Sequence, residues 1–197
     1  MALNVTGRSC LVVGSDREAM EKTQKLLESG AKVTLVAPDL SQDRMDQLKL
    51  LGAKFLPRTF KLADLTDQFL VMFSIKDDQV LTKSVAKTCR KKRILLCAID
   101  QAAYCDVVNM SLYERGPLKI AISTDAISPA LAKKMRLGFE SSLKDFPVEE
   151  FMESLRILRE QVGKNSSDPA QRMERLTAAV KDVSFHVSLN IPARNKK

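Results

Sequence analysis

Gly14-Ser-Asp-Arg-Glu-Ala19 sits between the apolar run Ser9-Cys-Leu-Val-Val13 and a helical stretch that closes at Gly30. A glycine turn that opens a helix suits phosphate, because unpaired backbone N–H groups and the helix dipole both face the ligand. With a second apolar run, Lys32-Val-Thr-Leu-Val-Ala37, the segment has the length and order of a βαβ dinucleotide-binding unit. In the G-x-G-x-x-G/A spacing, Gly14 supplies the turn and Ala19 the close packing of helix on strand. The middle position, where glycine lets backbone approach a pyrophosphate, is Asp16. A carboxylate ~4 Å from a phosphate charge would repel it by roughly 4 kcal/mol at an effective dielectric near 20. That would weaken a dinucleotide about a thousandfold, against only ~0.3–1 kcal/mol that a helix N-terminus returns to an acid. The alternative is that Asp16 turns away as an N-cap and Arg17 supplies a compensating positive charge.

Other chemistry is sparse. Cys10, Cys89, Cys97 and Cys105 are too far apart for C-x-x-C metal or redox spacing, and Cys10 and Cys97 read as small buried hydrophobes. His186 is the single histidine and cannot build a histidine metal cluster, so no metal ligands are expected. The net charge of +8 implies an anionic partner. Nucleic acid is not expected as that partner, because the chain lacks Trp, has only two Tyr and carries no nucleic-acid motif. Arg90-Lys-Lys-Arg93 reads as the cationic end of a helix, and the 194–197 tail as a solvated end. No apolar run approaches the roughly 20 residues of a membrane span, and the N-terminus lacks a signal h-region. A cytoplasmic protein that does not enter a membrane is expected.

The elements that must position this turn follow from periodicity. Strands are expected at about 9–14, 32–37, 54–57, 69–73 and 94–99, with helices at 17–29, 43–51 and 77–93 between them. Strands that are apolar throughout and alternate with helices predict a parallel sheet covered on both faces. Beyond Asp106 come a strand at 118–123 and a helix from 129 to about 143, with Ser128 as N-cap and Pro129 at N1. Two amphipathic helices follow, at about 148–162 and 169–183. The expected organisation is an α/β Rossmann-like domain at 1–113, a small strand–helix element at 114–146 and a helical C-terminal domain at 147–197.

Several blocks, in order, resemble one family. They are Gly7-Arg-Ser-Cys-Leu-Val-Val-Gly14, Val33-Thr-Leu-Val-Ala-Pro-Asp39, and Ala98-Ile-Asp100 with Tyr104-Cys-Asp106. Most specific is Arg115-Gly-Pro-Leu-Lys-Ile-Ala-Ile-Ser-Thr124 followed by Ser128-Pro-Ala-Leu-Ala132. Together they resemble the precorrin-2 dehydrogenase/sirohydrochlorin ferrochelatase family of siroheme synthesis, over residues 1 to about 145. The resemblance implies an NAD domain, a dimerisation element with a homodimer as the assembled form, and a helical C-terminal domain. It implies NAD-dependent oxidation of precorrin-2 to sirohydrochlorin, a polyacidic tetrapyrrole, with ferrous iron as a further substrate where members also chelate. Asp100 stands where the family has its key acid, at a strand's carboxyl end where open α/β sheets bind ligands. There it can take protons. The resemblance places the cofactor at Gly14, Ser15, Asp16, Arg17, Ala19, Asp39 and Ser74. It places substrate carboxylates near Arg115, Lys119, Ser123, Thr124, Ser128 and Lys133, with Lys134 and Arg136 nearby.

The chain departs from the family at cofactor-facing turns. Three glycines become Gly14-Ser15-Asp16, an Ala-Thr pair becomes Ser74-Ile75, an Asn becomes Leu81, and Ser-Thr-Gly-Gly becomes Ser123-Thr124-Asp125-Ala126. Two alternatives therefore stand beside the dehydrogenase. One is a scaffold that has lost NAD and acts as a sirohydrochlorin chelatase or tetrapyrrole-binding protein. The other is a non-enzymatic Rossmann sensor, which Ala37-Pro38 and the late Asp39 disfavour.

Overall fold

The structure is a computed structural model and describes residues 3–184. His186 and the 194–197 tail lie outside the described residues. The chain divides into two compact units, Met1–Asn109 and Met110–Lys197.

The first unit is built on five parallel strands: β1 (Ser9–Val13), β2 (Lys32–Ala37), β3 (Lys54–Pro57), β4 (Leu70–Phe73) and β5 (Leu95–Ala98). Their order in the sheet is β3-β2-β1-β4-β5, the doubly wound arrangement. Helices α1 (Arg17–Glu28), α2 (Gln42–Leu50) and α3 (Gln79–Lys92) make the crossovers. β1 shows why its sequence is apolar throughout. Cys10 and Val12 belong to one core, with Ala19, Leu26 and Leu48, while Leu11 and Val13 belong to the other, with Val71, Phe73 and Val85. Burial of each such large side chain favours folding by about 1.5–3 kcal/mol.

Local signals end the helices where expected. After α1 the chain turns at Gly30 (φ 78°), whose N–H donates to the Leu27 carbonyl at 2.8 Å. α3 is capped at its start by Asp78, which accepts from the Leu81 N–H. Arg90, Lys91 and Lys92 occupy its last turn, against the negative end of the dipole. Cys10, Cys89 and Cys97 are buried and unpaired. Burial pushes the Cys10 and Cys89 thiols up to about 11 and that of Cys97 to about 12.

The second unit holds an antiparallel hairpin, β6 (Ser111–Arg115) and β7 (Leu118–Ile122), then α4 (Pro129–Ser142), α5 (Val148–Asn165) and α6 (Pro169–Ala178). β6 is not among the expected strands, and the expected junction at 113/114 falls inside it. Because β6 pairs with β7, it groups with the second unit. α5 runs through Gly163 to Asn165, beyond the expected 162. α6 stops at Ala178 instead of continuing to 183, its chain tightening into turns in which Val180 N–H donates to Thr177 O. Among the described residues no helix is long and apolar enough to cross a membrane.

Candidate functional site at the carboxyl edge of the sheet

After β1 the chain leaves toward β2, and after β4 it leaves toward β5, so the carboxyl ends of β1 and β4 flank the switch point of the sheet. Gly14 makes the turn there with φ 125°, and a Cβ on it would lie 3.0 Å from the Ser74 Cβ. Only glycine fits. Asp16 follows in extended conformation as the N-cap of α1. Its Oδ1 accepts the Ala19 N–H at 2.7 Å, and its Oδ2 accepts the Ser74 hydroxyl at 2.6 Å. Arg44 of α2 donates to the Ser15 carbonyl at 2.6 Å, fixing the other side of the turn. Asp16 thus takes the expected N-cap role, without the compensating charge expected from Arg17 beside it. Arg17 instead extends along α1 to Glu21 at 2.7 Å.

Lys76, two residues beyond Ser74, donates to Glu18 Oε2 at 2.8 Å and also to Asp100 Oδ2. Asp100 and then Glu18 raise the ammonium pKa above its ordinary value. Asp100 follows β5, whose ladder is continued by the Ile99 N–H donating to Phe73 O at 2.8 Å. Its backbone is left-handed, φ 60°, and its side chain is 64 % exposed. A non-glycine residue held in that region carries backbone strain, which collects at functional turns. Gln101 fastens the neighbouring turns by donating Nε2 to Ile75 O at 3.1 Å.

The structure therefore gathers Gly14, Ser15, Asp16, Ala19 and Ser74 at one turn, with Asp100 beside them through Lys76. Asp39 is exposed at the end of β2. Lys76, Glu18 and Arg44 were not singled out from the sequence. A lysine directly past an apolar strand at the switch point is the signal that could have found Lys76.

In the second unit, Thr124 Oγ1 accepts the Ser128 N–H at 3.1 Å, and Ser128 Oγ accepts the Leu131 N–H at 3.2 Å, capping α4. Ser123 Oγ accepts from Asp125 N–H at 3.1 Å. These three hydroxyls share one turn, in which Asp125 and Ala126 are both left-handed. Arg115 is engaged elsewhere: Nε meets Glu149 at 3.1 Å and Nη1 donates to Leu143 O at 2.7 Å. Lys119 pairs with Glu114, while Lys133 and Lys134 are exposed on α4.

A doubly wound parallel sheet with a glycine turn at its switch point defines an α/β domain of the dinucleotide-binding class. Residues 1–111 match the family described as "Putative NAD(P)-binding", to which the chain belongs. More narrowly, it belongs to the precorrin-2 dehydrogenase/siroheme synthase N-terminal family. It is 34% identical over 140 residues to the siroheme synthase of Thioalkalivibrio sulfidiphilus, covering 71% of this chain and 28% of that protein. Siroheme synthase 2 of Halorhodospira halophila is 30% identical over 142 residues, covering 72% and 29%. The chain thus spans less than a third of the length of these curated relatives. The solved structure of SirC, a precorrin-2 dehydrogenase, superposes with a TM-score of 0.74 at 25% identity, over 92% of this chain and 89% of that one.

The family implies a nicotinamide dinucleotide. Gly14 offers the turn, but the carboxylate of Asp16 already takes the Ala19 N–H that a phosphate oxygen would use. As they stand, the residues at this turn do not fit a pyrophosphate.

Proposed function

We propose that the chain acts on an acidic tetrapyrrole of siroheme biosynthesis, inserting ferrous iron into sirohydrochlorin with Asp100 as proton acceptor. The observation that carries this reading is the exposed Asp100 carboxylate at the carboxyl edge of the sheet, fastened by Lys76 beside a turn that does not fit a dinucleotide. Metal insertion removes two pyrrole N–H protons from the macrocycle and transfers no electrons. It therefore asks nothing of the cofactor turn. A carboxylate open to solvent takes each proton and passes it to water. The net charge of +8 suits a polyanionic substrate. The reading places the protein in the cytoplasm as a homodimer formed through the hairpin and α4, with no nucleic-acid partner.

The test is anaerobic incubation of sirohydrochlorin with ferrous iron, followed by the change in macrocycle absorbance. Asp100→Asn is expected to slow insertion about a hundredfold or more while retaining macrocycle binding. Full activity in that variant removes the assignment. A second reading, NAD-linked oxidation of precorrin-2, is favoured by the family and by the likeness to SirC over most of the chain. It would show itself as reduced nicotinamide formed when precorrin-2 and NAD are added together.

A further inference from the structure

Three side-chain bridges cross the mouth of the crevice at the sheet's switch point. Asp16 reaches from the start of α1 to Ser74 past β4; Lys76 reaches back to Glu18 on α1 and across to Asp100 past β5. We infer that the dinucleotide crevice is filled by its own side chains, with Asp16 standing in for the pyrophosphate, so that the domain works without a nicotinamide cofactor.

The position of Asp16 is what makes it a substitute for a bound anion. A helix start presents N–H groups with no partner inside the helix, and phosphates bind by accepting from them. The Asp16 carboxylate accepts from one of these, the N–H of Ala19, while its second oxygen holds the Ser74 hydroxyl on the opposite wall. Turning the side chain out of the way breaks two charge-assisted hydrogen bonds together. The cations flanking the turn are committed as well. Arg17 is on Glu21, Arg44 on the Ser15 carbonyl, and Lys76 on Glu18 and Asp100. A diphosphate entering here meets the fixed negative charge of Asp16, and the Arg44 guanidinium beside it is already donating to the Ser15 carbonyl.

This deepens the electron-free reaction proposed above and rests on that reading only for the choice of chemistry. The experiment is a calorimetric titration of the full chain with NAD, for wild type, Asp16→Gly and Asp16→Asn. Wild type is expected to show no binding at millimolar NAD. Asp16→Gly, which removes both charge and Cβ, should bind at least about a hundredfold more tightly. Asp16→Asn keeps a capping side chain, so it guards against loss of folding and should gain a smaller part from loss of charge alone. Sub-millimolar binding by wild type overturns the inference, as does affinity unchanged in both variants. Sirohydrochlorin binding by the wild-type chain is measured separately. Its failure would sink the tetrapyrrole reading and leave this inference standing.

Discussion

In the unit Met1–Asn109, β1 and β4 are packed on both faces, and Val12, Val71, Phe73 and Leu96 retain no exposed surface. In Met110–Lys197 the hairpin buries only Tyr113 and Ile122, α4 only Ala132, and α6 no residue. Leu112, Leu131 and Leu137 are 40 to 47 % exposed there, and Ile127 is 87 % exposed. The first unit buries its strands on both faces, although Leu50 and Val80 are exposed on its helices, and it can hold Asp16, Ser74 and Asp100 in fixed geometry. The second keeps apolar side chains on its surface, which accords with the proposal that it pairs with a second copy.

The sharpest way to break this contrast is a large-to-small exchange in each unit. Phe73→Ala removes a ring buried edge-to-face against Phe60 and is expected to cost about 3–5 kcal/mol in urea denaturation. Leu131→Ala should change monomer stability by no more than about 0.5 kcal/mol, yet weaken self-association measured by sedimentation. Equal losses of stability in the two variants would erase the distinction. Helix caps provide a smaller comparison. Asp16→Ala loses both the cap and the Ser74 contact and should cost about 1–2 kcal/mol, against roughly 0.5–1 kcal/mol for Ser128→Ala.

The smallest effect concerns acid. Arg58, by paired hydrogen bonds at 2.8 and 2.6 Å, holds the Asp64 carboxyl below its ordinary range. Glu149 is lowered by its own backbone N–H and then by Arg115. Each folded-state value is depressed, so the stabilisation is present above the unfolded value and is lost as pH falls through the folded one. Asp64 is almost covered, whereas Glu149 is more than half exposed and screened by salt. Asp64→Asn should therefore flatten the acid limb of a stability–pH curve, and Glu149→Gln should leave it unchanged. A flattening by Glu149→Gln alone would reverse the order of the two units.

Legibility followed the same division. The parallel strands could be read because burial on both faces makes Ser9–Val13, Lys32–Ala37 and Leu70–Phe73 nearly continuous apolar runs. β6 could not. Its Ser-Leu-Tyr-Glu-Arg carries a single buried residue, and its pairing depends on β7 rather than on its own pattern. At the site, the turn and the cap were local signals, whereas Asp100 was singled out through the family resemblance. The Asp16–Ser74 and Lys76–Glu18 contacts each span 58 residues, and the Lys76–Asp100 contact 24, so only the folded sheet brings them together.

The sealed thiols have a practical consequence for spectroscopy. Burial raises Cys10, Cys89 and Cys97 to about 11 or 12, and Cys105 as well, so these thiols stay protonated at neutral pH. A cysteine introduced on the exposed face of α4, at Lys133 for instance, would outcompete them for a maleimide or nitroxide reagent. Spin or fluorophore pairs could then be attached without first stripping the native sulfurs, and distances between copies read directly in solution.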